Sequence, residues 1–185
     1  MSSDKVLLHA CCAPCLTNSI LELKEQGFDV TVYFYNPNIA PHVEYQKRLD
    51  ELIGFCSRQN YPLIIKEGGF ALWDEACTPL KDEKEGGARC AKCFDLRLAK
   101  TAQTAAEQGF EYFCTTLTIS PHKNSTKINE LGAKLSEKYS VKFLERNFKK
   151  NDGFKKSLLI SKDFELFRQD YCGCKYSIRA EILSS

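Results

Sequence analysis

Short apolar runs alternate with stretches of helical spacing along the whole chain. Val6-Leu7-Leu8-His9-Ala10 reads as a buried strand, and Leu16, Ile20 and Leu23 then recur at helical spacing up to a stop at Gly27. Pro14 suits the first turn of that helix, where its missing N–H costs nothing. Residues 30–35 are β-branched and aromatic, a second strand closed by Asn36-Pro37-Asn38. Tyr45, Leu49, Leu52, Ile53 and Cys56 share one face of the next helix. A third strand spans 62–65, and Gly68-Gly69 separates it from a short apolar segment at Phe70, Leu72 and Trp73. Residues 78–89 turn polar and glycine-containing, a surface loop. Cys90 and Cys93 then lead into a helix with Phe94, Leu98, Ala102 and Ala105 on one face and Gly109 at its end. A fourth strand over 112–117, a helix with Ile128, Leu131, Leu135 and Tyr139, and a fifth strand over 141–144 complete the alternation.

This pattern predicts an α/β fold, a five-stranded parallel sheet with helices on both faces. The 185 residues fit one domain, 1–185, with a change of character at Phe148 that marks a cysteine-bearing C-terminal extension over 148–185. Composition adds little to that outline. With a formal net charge of +2, an overall electrostatic grip on nucleic acid or an anionic membrane is not visible, although a local basic patch is compatible with it. No basic-then-apolar leader opens the chain, and no apolar run approaches the roughly 18 to 20 residues that cross a bilayer, so no membrane association and a cytoplasmic location are expected.

The ten cysteines change the picture. A disulfide framework belongs to short secreted domains without a core, which this chain does not resemble. Cys56, Cys77 and Cys114 read as packing residues, Cys77 the least clearly because it borders the polar loop. Seven thiols remain: Cys11, Cys12 and Cys15; Cys90 and Cys93; Cys172 and Cys174. Two CxxC pairs have the bite of a tetrahedral metal or an iron-sulfur cluster, and each lies beside a strand end or helix start that favours thiolate. A closed zinc site would leave three thiols without a role, and a redox dithiol would explain only two. Strand alternation sets Cys11 and Cys12 to different sides and hence to different centres. Asp95 is a candidate oxygen ligand beside Cys93, with a capping or solvated carboxylate as the alternative.

Taken together, His9-Ala10-Cys11-Cys12-Ala13-Pro14-Cys15, Tyr35-Asn36-Pro37-Asn38-Ile39, Glu44-Tyr45, Cys90-Ala91-Lys92-Cys93-Phe94, Arg97-Leu98, Thr115-Thr116-Leu117, Ser120-Pro121-His122-Lys123-Asn124 and Tyr171-Cys172-Gly173-Cys174 resemble the cobalamin-independent epoxyqueuosine reductases. The resemblance runs in order from about residue 5 to about 180. It implies a sheet similar to the adenine-nucleotide hydrolase and ATP-pyrophosphatase type, with Cys11 to Cys15 where related folds hold a glycine-rich phosphate loop. It implies removal of the epoxide oxygen from epoxyqueuosine at the anticodon wobble position of tRNA, by a 4Fe-4S cluster with an additional mononuclear iron. An electron donor such as a ferredoxin or flavodoxin goes with that chemistry.

On this reading the cluster is expected on Cys12, Cys15, Cys90 and Cys93, and the second iron on Cys11, Cys172 and Cys174. Asn36, Asn38, Lys123 and Asn124 follow strands at the thiol end of a parallel sheet and are candidate substrate contacts, with Arg48 and Arg97 as candidate phosphate ligands. His122 and Tyr171 are candidate proton donors. Phe148-Lys149-Lys150 and Phe154-Lys155-Lys156 interleave aromatics with charge, as single-stranded RNA sites do, and a solvated face is the alternative. A zinc-stapled tRNA-binding protein without catalysis and a nucleotide-activating tRNA-thiolating enzyme are the competing functions.

Overall fold

The computed structural model describes residues 3–178, so the ends of the expected domain, including positions 179–185 of the C-terminal extension, lie outside the described residues. Five parallel strands form one sheet in the order β3-β2-β1-β4-β5: β1 is Lys5–His9, β2 Asp29–Phe34, β3 Leu63–Ile65, β4 Tyr112–Thr115 and β5 Lys142–Phe143. Six helices accompany it: α1 Ala13–Glu25, α2 His42–Gln59, α3 Phe70–Cys77, α4 Ala88–Glu107, α5 Ser125–Tyr139 and α6 Gly153–Asp163.

Alternation along the strands divides the core into two layers. Val6, Leu8, Val30, Val32, Phe34 and Cys114 face one side, where Leu16, Ile20 and Leu23 of α1 and Leu49, Leu52 and Phe55 of α2 close over them. Leu7, Tyr33 and Phe113 face the other, under Phe94, Leu98 and Ala102 of α4 and Ile128 and Leu135 of α5. The α1 side chains are fully buried, a gain of about 1.5–3 kcal/mol each. The α6 helix packs along α1, so the start of the C-terminal extension belongs to the first layer. The expected parallel sheet with helices on both faces is what the chain forms. No helix among the described residues is long and apolar enough to cross a membrane.

Several local expectations change. The fourth strand stops at Thr115 because the Thr115 hydroxyl accepts the Leu117 N–H at 3.2 Å and turns residues 116–119 into a 3-10 helix. The polar loop is shorter than its composition suggests. Thr78–Leu80 is a 3-10 turn, and Ala88 and Arg89 already belong to α4. Arg89 is buried and donates to the carbonyls of Leu80, Lys81 and Glu83 at 3.3, 2.7 and 2.6 Å, which ties the loop down. Ile53 is partly exposed, and Phe148 is fully buried in the first core layer, so Phe148 is no stacking platform for RNA.

Candidate metal centre

The strand order reverses around β1, whose neighbours β2 and β4 are reached by connections running in opposite directions, and crevices at such carboxyl ends are where open α/β sheets bind ligands. In register, His9 stands opposite both Tyr33 and Thr115, which brings three strand ends level. His9 is buried and fastens them: Nε2 lies 3.2 Å from the Tyr35 carbonyl and must donate to it, leaving Nδ1 to accept from the Thr115 hydroxyl at 3.0 Å. Burial depresses its pKa to about 3, so this pin is neutral.

Cys11 and Cys12 follow immediately, in a bend between β1 and α1, and Cys12 is the extended residue that precedes the helix. Strand alternation therefore no longer applies to them. The Cys11 and Cys12 sulfurs lie 3.8 Å apart, and those of Cys11, Cys12 and Cys15 all fall within 4.8 Å of one another. The expectation that Cys11 and Cys12 aim at different centres is corrected: the turn gathers all three thiols at one point. Their protons are shared unequally. Hydrogen bonds from Cys12 and Cys15 hold the Cys11 thiol well below its ordinary range, and giving that hydrogen bond pushes Cys15 up to about 12.

The other four thiols come from two elements, and only Cys11, Cys12 and Cys15 form a close-packed trio of sulfurs among the described residues. Cys90 and Cys93 stand in the first turns of α4, and Cys172 and Cys174 in the C-terminal segment. Cys93 and Cys174 pack with Trp73 and Cys77 of α3 in a small buried cluster, so Cys77 lines the thiol centre rather than the main core. Burial raises Cys90, Cys93 and Cys174, the last to about 11, and Cys172 adds to the rise at each. Arg97 and the Trp73 indole both pull Cys93 back down.

The C-terminal segment reaches this position through one latch. Ile39 and Cys174 form an antiparallel bridge, and the Ala40 N–H donates to the Gly173 carbonyl at 2.8 Å. Arg48 of α2 donates to the carbonyls of Tyr171 and Cys172, each at 3.2 Å, and to Glu44 at 2.6 Å. Gly173 has φ +97°, and a Cβ there would meet the Arg48 guanidinium at 2.9 Å, so both its backbone and its lack of a side chain are used.

These contacts reassign several expected substrate residues. Arg48 is spent on the latch and is not free for phosphate. The Tyr171 hydroxyl donates to the Ala40 carbonyl at 2.9 Å and its ring lies under Arg48, so Tyr171 is a strut rather than a proton donor. Asn36 donates to the Ala10 carbonyl at 3.0 Å and accepts from Arg97 at 2.7 Å, so both are buried supports of the Cys11 turn and not contacts for substrate. Asn124 caps α5 by accepting the Lys127 N–H. Asp95 meets Lys92 at 3.9 Å; two residues past Cys93 is about 200° around a helix, which turns it out of the ligand set. Asn38 is buried with both amide atoms unpartnered, and it lines neither cavity of the site.

What remains open to solvent is a cleft of about 320 Å³. Its wall includes Cys11, Cys12, Cys15 and Cys172, with His122, Lys123, Phe154 and Arg168 at its mouth. Burial works against the charge of Lys123, but the sulfurs of Cys172, Cys11 and Cys15 outweigh it and raise its pKa. Arg168 stacks on the Phe154 ring at 5.4 Å. Sequence reasoning overlooked Arg168, Arg89 and Trp73; Trp73 meets Cys93 and Cys174 far along the chain, whereas Arg89 and Arg168 bond groups 6–11 positions away that carry no motif.

The donor set suits a thiolate-bound metal group. Arg97 is 1% exposed, forms no ion pair with a carboxylate among the described residues and leaves Nε without a partner. A buried cation needs a compensating anion, and thiolates of Cys11 and Cys93 beside it would provide one if they held a metal.

The family model described as Epoxyqueuosine reductase QueH matches residues 6–180. Relatives named Epoxyqueuosine reductase QueH include one from Streptococcus pyogenes serotype M1, 43% identical over 95% of this chain and 71% of the relative. Another, from Thermotoga maritima, is 38% identical over 94% of this chain and 90% of the relative. Among solved structures, a U34-tRNA thiolase NcsA from Methanococcus maripaludis with its [4Fe-4S] cluster superposes with a TM-score of 0.61 at 16% identity, covering 97% of this chain and 63% of that one. A predicted subunit of a tRNA methyltransferase from Methanocaldococcus jannaschii superposes with a TM-score of 0.59 at 11% identity, covering 86% and 74%. Those two likenesses show the fold, whereas the family match spans nearly every position described above, and the chain belongs to the epoxyqueuosine reductase QueH family.

Proposed function

We propose that this protein reduces epoxyqueuosine at the wobble position of tRNA to queuosine, in the cytoplasm. The balance is simple: two electrons and two protons enter, both C–O bonds of the epoxide break, an alkene forms and the oxygen leaves as water. The observation that carries the reading is a solvent-open cleft walled by Cys11, Cys12, Cys15 and Cys172, with Cys172 close enough to Cys90, Cys93 and Cys174 to raise all three, more thiols than a closed zinc site uses.

The geometry favours a division of the thiols different from the one expected. On this reading Cys90, Cys93, Cys172 and Cys174 would hold a 4Fe-4S cluster, and Cys11, Cys12 and Cys15, whose sulfurs lie within 4.8 Å of one another, would hold an additional iron. When bound, these groups supply single electrons and a Lewis acid for the epoxide oxygen. The protein's own residues do the rest. Lys123 places a half-buried positive charge beside the thiols, where negative charge develops on the departing oxygen. The His122 side chain stands at the mouth of the cleft, and we assign it delivery of a proton to that oxygen. Phe154 and Arg168 offer a stacking face for the modified base. A ferredoxin or flavodoxin is the expected class of electron donor.

The test is anaerobic reconstitution followed by incubation of epoxyqueuosine-containing tRNA with dithionite. A brown protein that converts the modified nucleoside to queuosine is expected. A colourless protein with one tightly held zinc and no turnover would overturn the reading.

A further inference from the structure

A second cavity, about 390 Å³, opens between α4 and the N-terminal half of α5. Its volume is in the range of ligand pockets. Ala91, Phe94 and Leu131 give it an apolar floor, and Lys123, Lys127 and Lys134 stand on its rim. Lys127 and Lys134 are seven residues apart on α5, two helical turns, and therefore project from the same face. Glu85 and Glu130 also border the cavity, yet none of the three lysines forms an ion pair within 4 Å among the described residues. Their charge is available to a ligand.

The cavity does not stand alone. Glu85, His122, Lys123 and Cys172 line both it and the thiol cleft, so the two cavities are neighbours with a shared wall. Flat apolar floor and paired cations are what a single-stranded nucleotide requires, one for the base and the other for its phosphate. An acidic redox protein would use the lysines but not the recessed floor.

We propose that this cavity holds the nucleotide adjacent to the modified one, its base against Phe94 and Leu131 and its phosphate between Lys127 and Lys134. The proposal rests on the functional reading above, since it takes the modified base to occupy the thiol cleft. Binding energy gathered at the neighbour then positions the reacting base, so a substrate that lacks the neighbour is turned over less efficiently.

The test compares the free epoxyqueuosine nucleoside with an RNA trinucleotide carrying it in the middle, both reduced with dithionite so that no protein donor takes part. In the Lys127→Ala/Lys134→Ala protein, kcat/KM for the trinucleotide relative to the nucleoside should fall at least tenfold from the wild-type ratio. The salt dependence of binding a fluorescein-labelled unmodified trinucleotide should also weaken, its log–log slope dropping by about 1. An unchanged ratio together with an unchanged slope overturns the proposal. A wild-type protein that binds the labelled trinucleotide in a lysine-dependent way but reduces neither substrate overturns the reductase reading and leaves the cavity assignment supported.

Discussion

The two thiol groups reach the same crevice by opposite routes. Cys11, Cys12 and Cys15 sit within five residues on one strand-to-helix turn, and their sulfurs converge there, with Asn36 and Arg97 bracing the turn. Cys90, Cys93, Cys172 and Cys174 are brought together across two elements, and the last two depend on a bridge to Ile39 and on one arginine. Local geometry makes the first group a property of the sheet. The second is a property of the closed molecule.

The sharpest way to break this contrast is Arg48→Met. It opens the latch and leaves Glu44 without its partner, a change of the kind that costs about 3–5 kcal/mol when the pair is buried. Turnover should fall at least a hundredfold, and iron content should drop to what three thiols retain, both read on protein whose far-ultraviolet dichroism is intact. Equal loss of metal from both groups would show that they are not independent. Gly173→Ala should be milder, about 1–3 kcal/mol and roughly a tenfold loss of turnover, because it strains one left-handed residue and presses on the arginine without removing it. A thermal melt and an iron assay report both quantities.

Trp73 offers a finer reading. It is the one tryptophan of the chain and packs against Cys93 and Cys174, so loading the four-thiol group should quench its emission by more than half. In the Arg48→Met protein that quenching should largely disappear even while iron remains on the Cys11 turn.

Proton inventory gives the two smaller effects. Cys15 and Cys174 are raised to about 12 and about 11 and hold their protons at neutral pH, so metal must displace them. Apparent metal affinity should therefore rise with pH between 6 and 9 for both groups, which competition with a chelator measures. The core thiols Cys56 and Cys114, each raised to about 12 from 9.0 by burial, act on the metal-free fold. Their stabilising effect is complete below pH 9 and is lost as pH rises towards 12, because the unfolded chain ionises first. Each contributes about 1.4 kcal/mol per pH unit over that window, and Cys56→Ala/Cys114→Ala should flatten the alkaline arm of the stability curve.

Much of the architecture is legible in the sequence because its determinants are local. The apolar runs, the helical spacing and the Pro14 start locate nearly every element, and the CxxC pairs mark where thiols gather. The supports are not legible in the same way. Asn36, Arg48 and Arg97 carry the composition of substrate-binding residues, and only their partners, as many as 124 positions away for Arg48 and Cys172, show that they hold backbone and thiolates instead. Phe148 misleads for a related reason: flanking lysines suggest a surface, yet α6 folds back on α1 and closes over the ring. The Cys11–Cys12 pair misleads because the two residues lie two and three positions past the end of β1, where strand alternation no longer holds.

The latch also fixes an order in time. Cys172 follows Cys15 by 157 positions, a delay on the order of ten to thirty seconds while a ribosome is still adding residues. Throughout that interval the nascent chain already carries a three-thiol trap with no lid, free to capture whichever thiophilic ion arrives first. On the proposed function, a cell making this protein would have to deliver iron late or strip wrong ions early, and a chain released before Tyr171 would be a metal scavenger with nothing to reduce.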